Sequence, residues 1–450
     1  MRLDLVTKYD LRVPRYTSYP TAPHFGPMIG PDAYAGWLTG MDRSTPLSLY
    51  AHIPYCAKQC LFCGCHTRIT SQYDAIAGYL RHLWREIGMV ADRLPTRMDV
   101  RHIHFGGGSP TILKPEDFAA TMALLRERFA LSPQAEIAVE LDPRTTSRAF
   151  VSAMAQAGIS RVSIGVQDFN PVVQQAVNRV QPFATVERLI GWLREDGIGD
   201  INLDLIYGLP YQTAESLIDT LAQTVTLKPS RIALFGYAHV PWMKPHQQEL
   251  PNSALPDMTE RWRQYETVGR CLTETHGYAR IGLDHFALPS DPLAGALAAG
   301  RLHRNFQGYT TDAAPVLLGF GASAIGSLSQ GYAANAVGIE EYQEQISQGL
   351  LATTRGIALS GDDRLRGALI ERLMCNMALD IEAVCRQFDA DPALFDADLD
   401  RLGPMEKDGL LVRQGRTVRI TDAGHPLVRA ACSVFDRYLD QGEARHSKAI

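Results

Sequence analysis

Six short runs rich in β-branched residues recur between residues 47 and 237 of this 450-residue chain, each parted from the next by an amphipathic stretch of helical period. The predicted strands are 47–52, 100–105, 135–141, 161–166, 201–206 and 231–237, and the predicted helices are 74–94, 116–129, 146–157, 185–196 and 213–226. Strand and helix alternating at this spacing imply right-handed crossovers and a parallel sheet. Six units are too few to close an eight-stranded barrel, so the expected fold is a curved, partly open α/β barrel. Sites in such folds collect at the carboxyl ends of the strands. On that rule Gly106-Gly107-Gly108-Ser109-Pro110 ends the second strand, Glu140 and Asp142 the third, Gln167 the fourth and Asp204 the fifth, all on one rim.

The first predicted strand runs into His52-Ile-Pro-Tyr-Cys56-Ala-Lys-Gln-Cys60-Leu-Phe-Cys63-Gly-Cys65, which holds four of the eight cysteines. Soft thiolates select iron–sulfur clusters, zinc or copper. A zinc set would be Cys56, Cys60 and Cys63 with Cys65 or His66, but structural zinc sites usually join two well-separated ligand pairs. Cys56, Cys60 and Cys63 are spaced to grip three corners of an iron–sulfur cube. Ferredoxin-type cubes take four cysteines, so a three-cysteine cube keeps one iron open for chemistry. Cys271, Cys375, Cys385 and Cys432 are scattered in apolar or helical contexts and read as small buried hydrophobes.

A net charge of -5 gives no basic footprint for nucleic acid. No apolar run approaches the roughly 20 residues of a spanning helix, and the first residues carry no apolar signal core. The expectation is a cytoplasmic protein without membrane or nucleic-acid partners. Its thiol cluster fits a reducing compartment.

Four segments are expected: a proline-punctuated N-terminal segment over 1–46 that covers substrate, the barrel over 47–290, a barrel-completing or lid segment over 291–360, and a C-terminal domain over 361–450. In the last, predicted helices at 363–377, 381–387 and 397–408 precede two short strands about a Gln-Gly turn and a final helix to about 438, which resembles a winged-helix module.

The C-x3-C-x2-C run with a glycine turn after the next strand resembles the radical S-adenosylmethionine (SAM) superfamily. Pro14-Arg-Tyr-Thr-Ser-Tyr-Pro-Thr21, Tyr50-Ala-His-Ile-Pro-Tyr-Cys56, Ser163-Ile-Gly-Val-Gln-Asp-Phe169, Asp204-Leu-Ile-Tyr-Gly-Leu-Pro210 and His303-Arg-Asn-Phe-Gln-Gly-Tyr-Thr-Thr311 are together similar to the HemN family, essentially end to end. The resemblance implies a partial TIM-like (β/α)6 barrel and a [4Fe–4S] cluster on Cys56, Cys60 and Cys63, whose open iron chelates SAM. It also implies two SAM molecules, one contacted by Tyr50, Gly107, Glu140 and Ile325, the other by Phe62, Gly108, Ser109, Gln167, Arg179, Asp204 and Ala238. Tyr50 and Cys65 carry an implied catalytic role, and Cys65 separates the family from haem-chaperone-like relatives with an aromatic residue there.

The implied reaction is oxygen-independent oxidative decarboxylation of two propionates of coproporphyrinogen III to vinyl groups, giving protoporphyrinogen IX through a 5′-deoxyadenosyl radical. A reductant such as flavodoxin or ferredoxin and a monomeric chain come with it. A four-carboxylate substrate needs cations, and Arg15, His303 and Arg304 are the candidates. The alternatives are a paralogue acting on another tetrapyrrole, a haem-binding chaperone, and a zinc-containing winged-helix regulator.

Overall fold

A computed structural model of the chain describes residues 3–9 and 11–439. All six predicted strands form: β1 Leu47–Ile53, β2 Asp99–Gly107, β3 Ala130–Leu141, β4 Arg161–Gln167, β5 Asp200–Tyr207 and β6 Arg231–Gly236. They pair in parallel in sequence order. The helices between them are α1 Tyr73–Ala91, α2 Pro115–Arg128, α3 Arg148–Gln156, α4 Phe183–Glu195 and α5 Ala214–Thr226. Thr213 starts α5 with a reciprocal cap, its hydroxyl accepting from the Ser216 N–H while the Ser216 hydroxyl accepts from the Thr213 N–H.

The cadence ends too early in one respect. Beyond β6 the chain adds β7 Ala279–Ile281 and β8 His285–Ala287, a hairpin of β9 His303–Asn305 and β10 Gly308–Thr310, then β11 Val316–Phe320, β12 Ile325–Leu328, β13 Gly331–Asn335 and β14 Thr353–Ala358. β11 lies parallel to β1 on its outer side, a seventh parallel strand, and β12 to β14 extend that edge as an antiparallel meander. The twelve-stranded sheet, in the order β14-β13-β12-β11-β1-β2-β3-β4-β5-β6-β8-β7, stays open. β11 escaped prediction because it returns after a long excursion without the helix that marks its predecessors.

Strand alternation divides the barrel into an apolar jacket and a polar lumen. Ile103 and Phe105 of β2 face the helices, and the Phe105 ring meets Phe118 of α2 and, beyond it, Phe150 of α3 at centroid distances of 5.2 and 5.1 Å. Each such fully buried ring contributes about 1.5–3 kcal/mol. Their neighbours His102 and His104 turn inward with Glu136, Glu140, Ser163, Asn202 and Asp204 to line a cavity of about 200 Å³.

At the amino ends of the strands this lumen is floored by ion pairs. Arg161 lies 3.2 Å from Glu136, 3.5 Å from Asp200 and 3.6 Å from Asp291, and Arg231 Nε lies 2.8 Å from Asp291.

The C-terminal region carries helices Gly361–Asn376, Ile381–Gln387, Asp396–Arg401 and Gly403–Lys407 around a small antiparallel sheet, β15 Ala378–Asp380, β16 Leu411–Gln414 and β17 Thr417–Ile420, in the order β15-β17-β16. The predicted helix 397–408 is therefore broken at Leu402, before Pro404. Leu5, Tyr9, Tyr16 and Tyr19 from the beginning of the chain are buried in the same core as Leu369, Leu373 and Phe395, whereas Ile29, Tyr34 and Leu38 are buried in the barrel core, so the N-terminal segment is divided between the two. The tail of the expected C-terminal segment, 440–450, lies outside the described residues. No described helix is long and apolar enough to cross a membrane.

Candidate active site

The cysteine run follows β1 at the carboxyl end of the barrel. Tyr55–Cys56 pairs as a two-residue strand with Arg68–Ile69, which closes the run into a loop. Its backbone carbonyls are held from outside: Gln59 O by Asn178 Nδ2 at 2.8 Å, Phe62 O by Gln247 Nε2 at 3.1 Å, Cys63 O by His246 Nε2 at 2.8 Å and Cys65 O by Lys244 Nζ at 2.8 Å. Gln247, fully buried, also donates to Ala238 O at 3.3 Å. The stretch after β6 is thus a strap across the cysteine loop, and Phe62 and Ala238, far apart in sequence, meet through one side chain.

Each of the three thiols has its own donor. The Thr67 hydroxyl donates to Cys56 Sγ at 3.3 Å and the Cys65 N–H to Cys63 Sγ at 3.4 Å. Cys60 Sγ accepts from Arg144 at 3.3 Å and Arg179 at 3.4 Å. Both arginines are tied to Asp142, at 2.6 and 3.4 Å. Against the opposing pull of burial, Arg179 and Arg144 hold the Asp142 carboxyl below its usual range. The hydrogen bond from Cys65, with Lys244 and His246 nearby, draws Cys63 down to about 6, while burial lifts Cys56 to about 11.

Among the described residues no three His, Cys, Asp or Glu side chains are already drawn up around one point for a single ion. The fit of the loop to an iron–sulfur cluster rests instead on its donors: three thiols on one loop, each facing an N–H, O–H or guanidinium that stabilises thiolate charge.

The rim beside the loop is joined by hydrogen bonds. The Tyr50 hydroxyl donates to His52 Nδ1 at 3.0 Å, because His52 Nε2–H is committed to His66 O at 3.0 Å. Burial lowers the His52 pKa and raises that of Tyr50 well above its ordinary value. The Tyr50 ring stacks on His104, which donates to Glu140 at 3.0 Å. Glu140 also accepts the Gly107 N–H at 3.3 Å.

The glycine turn works differently from a cradle of free N–H groups. Gly108 N–H and Ser109 N–H donate to Ile53 O and Tyr55 O, at 2.8 and 2.9 Å. What the glycines supply is clearance. A Cβ on Gly106 would stand 2.7 Å from Glu140, one on Gly107 (φ +114) 2.7 Å from the His52 ring, and one on Gly108 2.6 Å from Tyr55 O.

Gln167, at the end of β4, has φ +68, a backbone state costly for a non-glycine residue. Its amide stands over Gly165 beside Arg179, whose Nη2 donates to Gly165 O at 2.7 Å. Asp204 is not at the rim. It lies within β5, faces the lumen, and accepts from Ser163 at 2.9 Å and Asn202 at 2.7 Å. Burial and the nearby Glu140 charge push its pKa up to about 6. The Ser109 hydroxyl is buried against Thr111 at 2.8 Å. Ile325 adjoins Tyr50 through Gly319, which pairs with Tyr50 in register and packs on the Ile325 backbone.

Beyond Ala238 opens a second cavity, of about 350 Å³, with Arg15 and Arg304 in its wall. His303 does not line it; its ring lies 3.1 Å from Glu371 beside another cavity of about 420 Å³, which Arg304 also borders. Alternation along the strand gives the two neighbours different partners. The sequence reading missed Arg144, Thr67, His104, Lys244, His246 and Gln247. Arg144 follows β3 and the strap follows β6, so the strand-end rule pointed to those stretches but could not name the side chains.

A cysteine loop at the mouth of an open parallel barrel, with a glycine turn against it, defines a radical SAM protein, and the Radical SAM superfamily model matches residues 50–223. The chain belongs to that superfamily. The HemN C-terminal domain model matches residues 359–427. The oxygen-independent coproporphyrinogen III oxidase of Bradyrhizobium diazoefficiens is 48% identical over 451 residues, covering 100% of both chains, and that of Escherichia coli is 41% identical, covering 98% of this chain and 96% of the other. The solved structure of coproporphyrinogen III oxidase (HemN) from Escherichia coli, a radical SAM enzyme, superposes with a TM-score of 0.91 at 40% identity, covering 97% of this chain and 99% of that one. Within the superfamily, the chain is a member of the HemN family of oxygen-independent coproporphyrinogen III oxidases.

Proposed function

We propose that this chain is an oxygen-independent coproporphyrinogen III oxidase, which converts two propionates of its substrate to vinyl groups and yields protoporphyrinogen IX for haem synthesis. The observation that carries this reading is the end-to-end match, barrel mouth and C-terminal domain together, to a structure of that activity. Each propionate that becomes vinyl loses carbon dioxide and two hydrogens, one as the hydrogen atom taken by the radical and one as a proton with an electron that passes to a one-electron acceptor. When bound, the [4Fe–4S] cluster and SAM supply the radical chemistry that removes the first hydrogen.

The chain's own residues bind, orient and exclude water. Cys56, Cys60 and Cys63 are the cluster ligands in this reading, with Arg144 and Arg179 offsetting negative charge at Cys60. Tyr50, Gly107, Glu140 and Ile325 surround one SAM. Phe62, Gly108, Ser109, Gln167, Arg179, Asp204 and Ala238 surround a second, the first and last held in place by Gln247. Tyr50, with its proton fixed on His52, and Cys65 complete the reactive edge. A donor such as flavodoxin or ferredoxin, a monomeric state and a cytoplasmic location belong to the same reading.

The test is anaerobic. Reconstituted, reduced protein given SAM and coproporphyrinogen III is expected to release two molecules of carbon dioxide per protoporphyrinogen IX, measured by mass spectrometry. SAM cleavage by a loaded cluster with no vinyl product would overturn the substrate while sparing the superfamily assignment.

A further inference from the structure

The cavity beyond Ala238 is lined by five arginines, Arg12, Arg15, Arg261, Arg304 and Arg429, against one carboxylate, Asp284, among the described residues. The rest of its wall is mainly aromatic and aliphatic, with Tyr207, Phe235, Tyr237 and Trp242. Arginines crowded into an apolar wall repel one another and lose hydration, a cost that evolution tolerates where an anion is to be bound.

Arg15 and Arg261 leave most of their donors unspent: Arg15 gives one N–H to Gly236 O at 3.3 Å and Arg261 one to Tyr237 O at 3.0 Å, from five apiece. Arg304 is the most telling. Its side chain is 5% exposed and lies over the Tyr309 ring, its Nε and Nη1 lack a hydrogen-bond acceptor, and Asp284 stands 3.9 Å away. Asp284 is itself committed to His285 at 2.7 Å. The crowding shows in the titration too: burial and the nearby Arg15 push Arg429 down to about 10.

We propose that this cavity is the carboxylate grip of the enzyme: Arg12, Arg15, Arg261, Arg304 and Arg429 hold the propionates along one edge of the tetrapyrrole, and the aromatic wall packs on its pyrrole rings. A tetrapyrrole with four propionates exceeds 350 Å³, so only one edge enters. The rest projects past Ala238 toward the cysteine loop, to which Gln247 ties that residue. Guanidinium forks suit carboxylates bidentately, and a site built around such pairs rejects analogues that leave them unpaired.

The inference rests on the tetrapyrrole reading of the function, and one preparation tests the two separately. Holoenzyme is titrated by fluorescence with coproporphyrin III, the non-reacting aromatic form, and with its tetramethyl ester. The free acid is expected to bind at least tenfold tighter than the ester. Arg12→Gln and Arg15→Gln, at exposed positions, and Arg261→Gln, at a half-buried one, are each expected to weaken the free acid at least fivefold, leave the ester unchanged, and keep iron and sulfide content at the wild-type level. Variants that bind the free acid as wild type does, or that lose both ligands equally, would overturn the grip. Absence of vinyl product from wild-type enzyme that still discriminates acid from ester would overturn the reaction and leave the grip standing.

Discussion

Arginines crowd both ends of the barrel, and the two ends are balanced differently. On the floor, Arg161 and Arg231 share Glu136, Asp200 and Asp291, two cations against three carboxylates. At the mouth, five arginines line a cavity in which Asp284 is the one carboxylate among the described residues. Guanidinium N–H groups without hydrogen bonds occur at both ends, on Arg161 and Arg231 as on Arg304, so unsatisfied donors alone do not separate structure from function. Charge balance does. A neutralised cluster holds strands together, and an unneutralised one awaits its counter-ion.

The largest expected effect breaks the balanced end. Asp291→Asn removes the carboxylate charge that Arg231 and Arg161 share, while the amide oxygen can still cap the Leu293 N–H. A stability loss of about 3–5 kcal/mol is expected in denaturant unfolding, as for other broken buried pairs, with binding of coproporphyrin III by the folded fraction unaltered.

Asp204, between the two ends and bonded to Ser163 and Asn202 rather than to a cation, supplies the converse case. Its folded pKa of about 6 stands above the unfolded 3.8. The native state therefore keeps a proton that the unfolded chain releases between those values, so its contribution to stability is greatest at acid pH and falls as pH rises from 4 to 6. The fall is about 3 kcal/mol, and Asp204→Asn should flatten that part of the stability–pH curve.

At the unbalanced end, Arg304→Gln removes a cation that no carboxylate fully offsets. Stability should change by no more than about 1 kcal/mol, while affinity for coproporphyrin III falls about tenfold, or about 1.4 kcal/mol. Equal destabilisation by Arg304→Gln and Asp291→Asn would erase the distinction between the two ends. The smallest effect is expected at Arg144→Gln, which takes one donor from Cys60 but leaves Arg179 in place. Hydrogen bonds to cluster sulfurs favour the reduced state, so potentiometric titration should show a potential lower by about 20–60 mV, equivalent to about 0.5–1.4 kcal/mol for one electron.

The residues that sequence reading reached are those whose information is local. The period of the chain gave six strands and five helices, and the cysteine run announced itself by spacing. The strand-end rule placed Glu140 and Gln167 on one rim, and resemblance to the family added Arg179, which lies further along the connection after β4. What stayed hidden depends on distance or direction. β11 finds its place beside β1 only after more than two hundred intervening residues. Asp204 was read as a rim residue, yet three residues of β5 follow it and its side chain faces the lumen. His303 and Arg304 were taken as a pair, yet alternation along β9 sends one to Glu371 and the other over Tyr309. The arginine cavity gathers residues from 12 to 429, a convergence that no window of sequence displays.

The strap over the cysteine loop bears on repair. Asn178, Lys244, His246 and Gln247 grip the loop by its carbonyls and not by its sulfurs. The receptacle's shape is thereby stored in the protein and not in the mineral it receives. Cluster lost to oxygen is therefore expected to be restored by iron and sulfide added to the folded chain, read as recovered iron and sulfide content without an unfolding step.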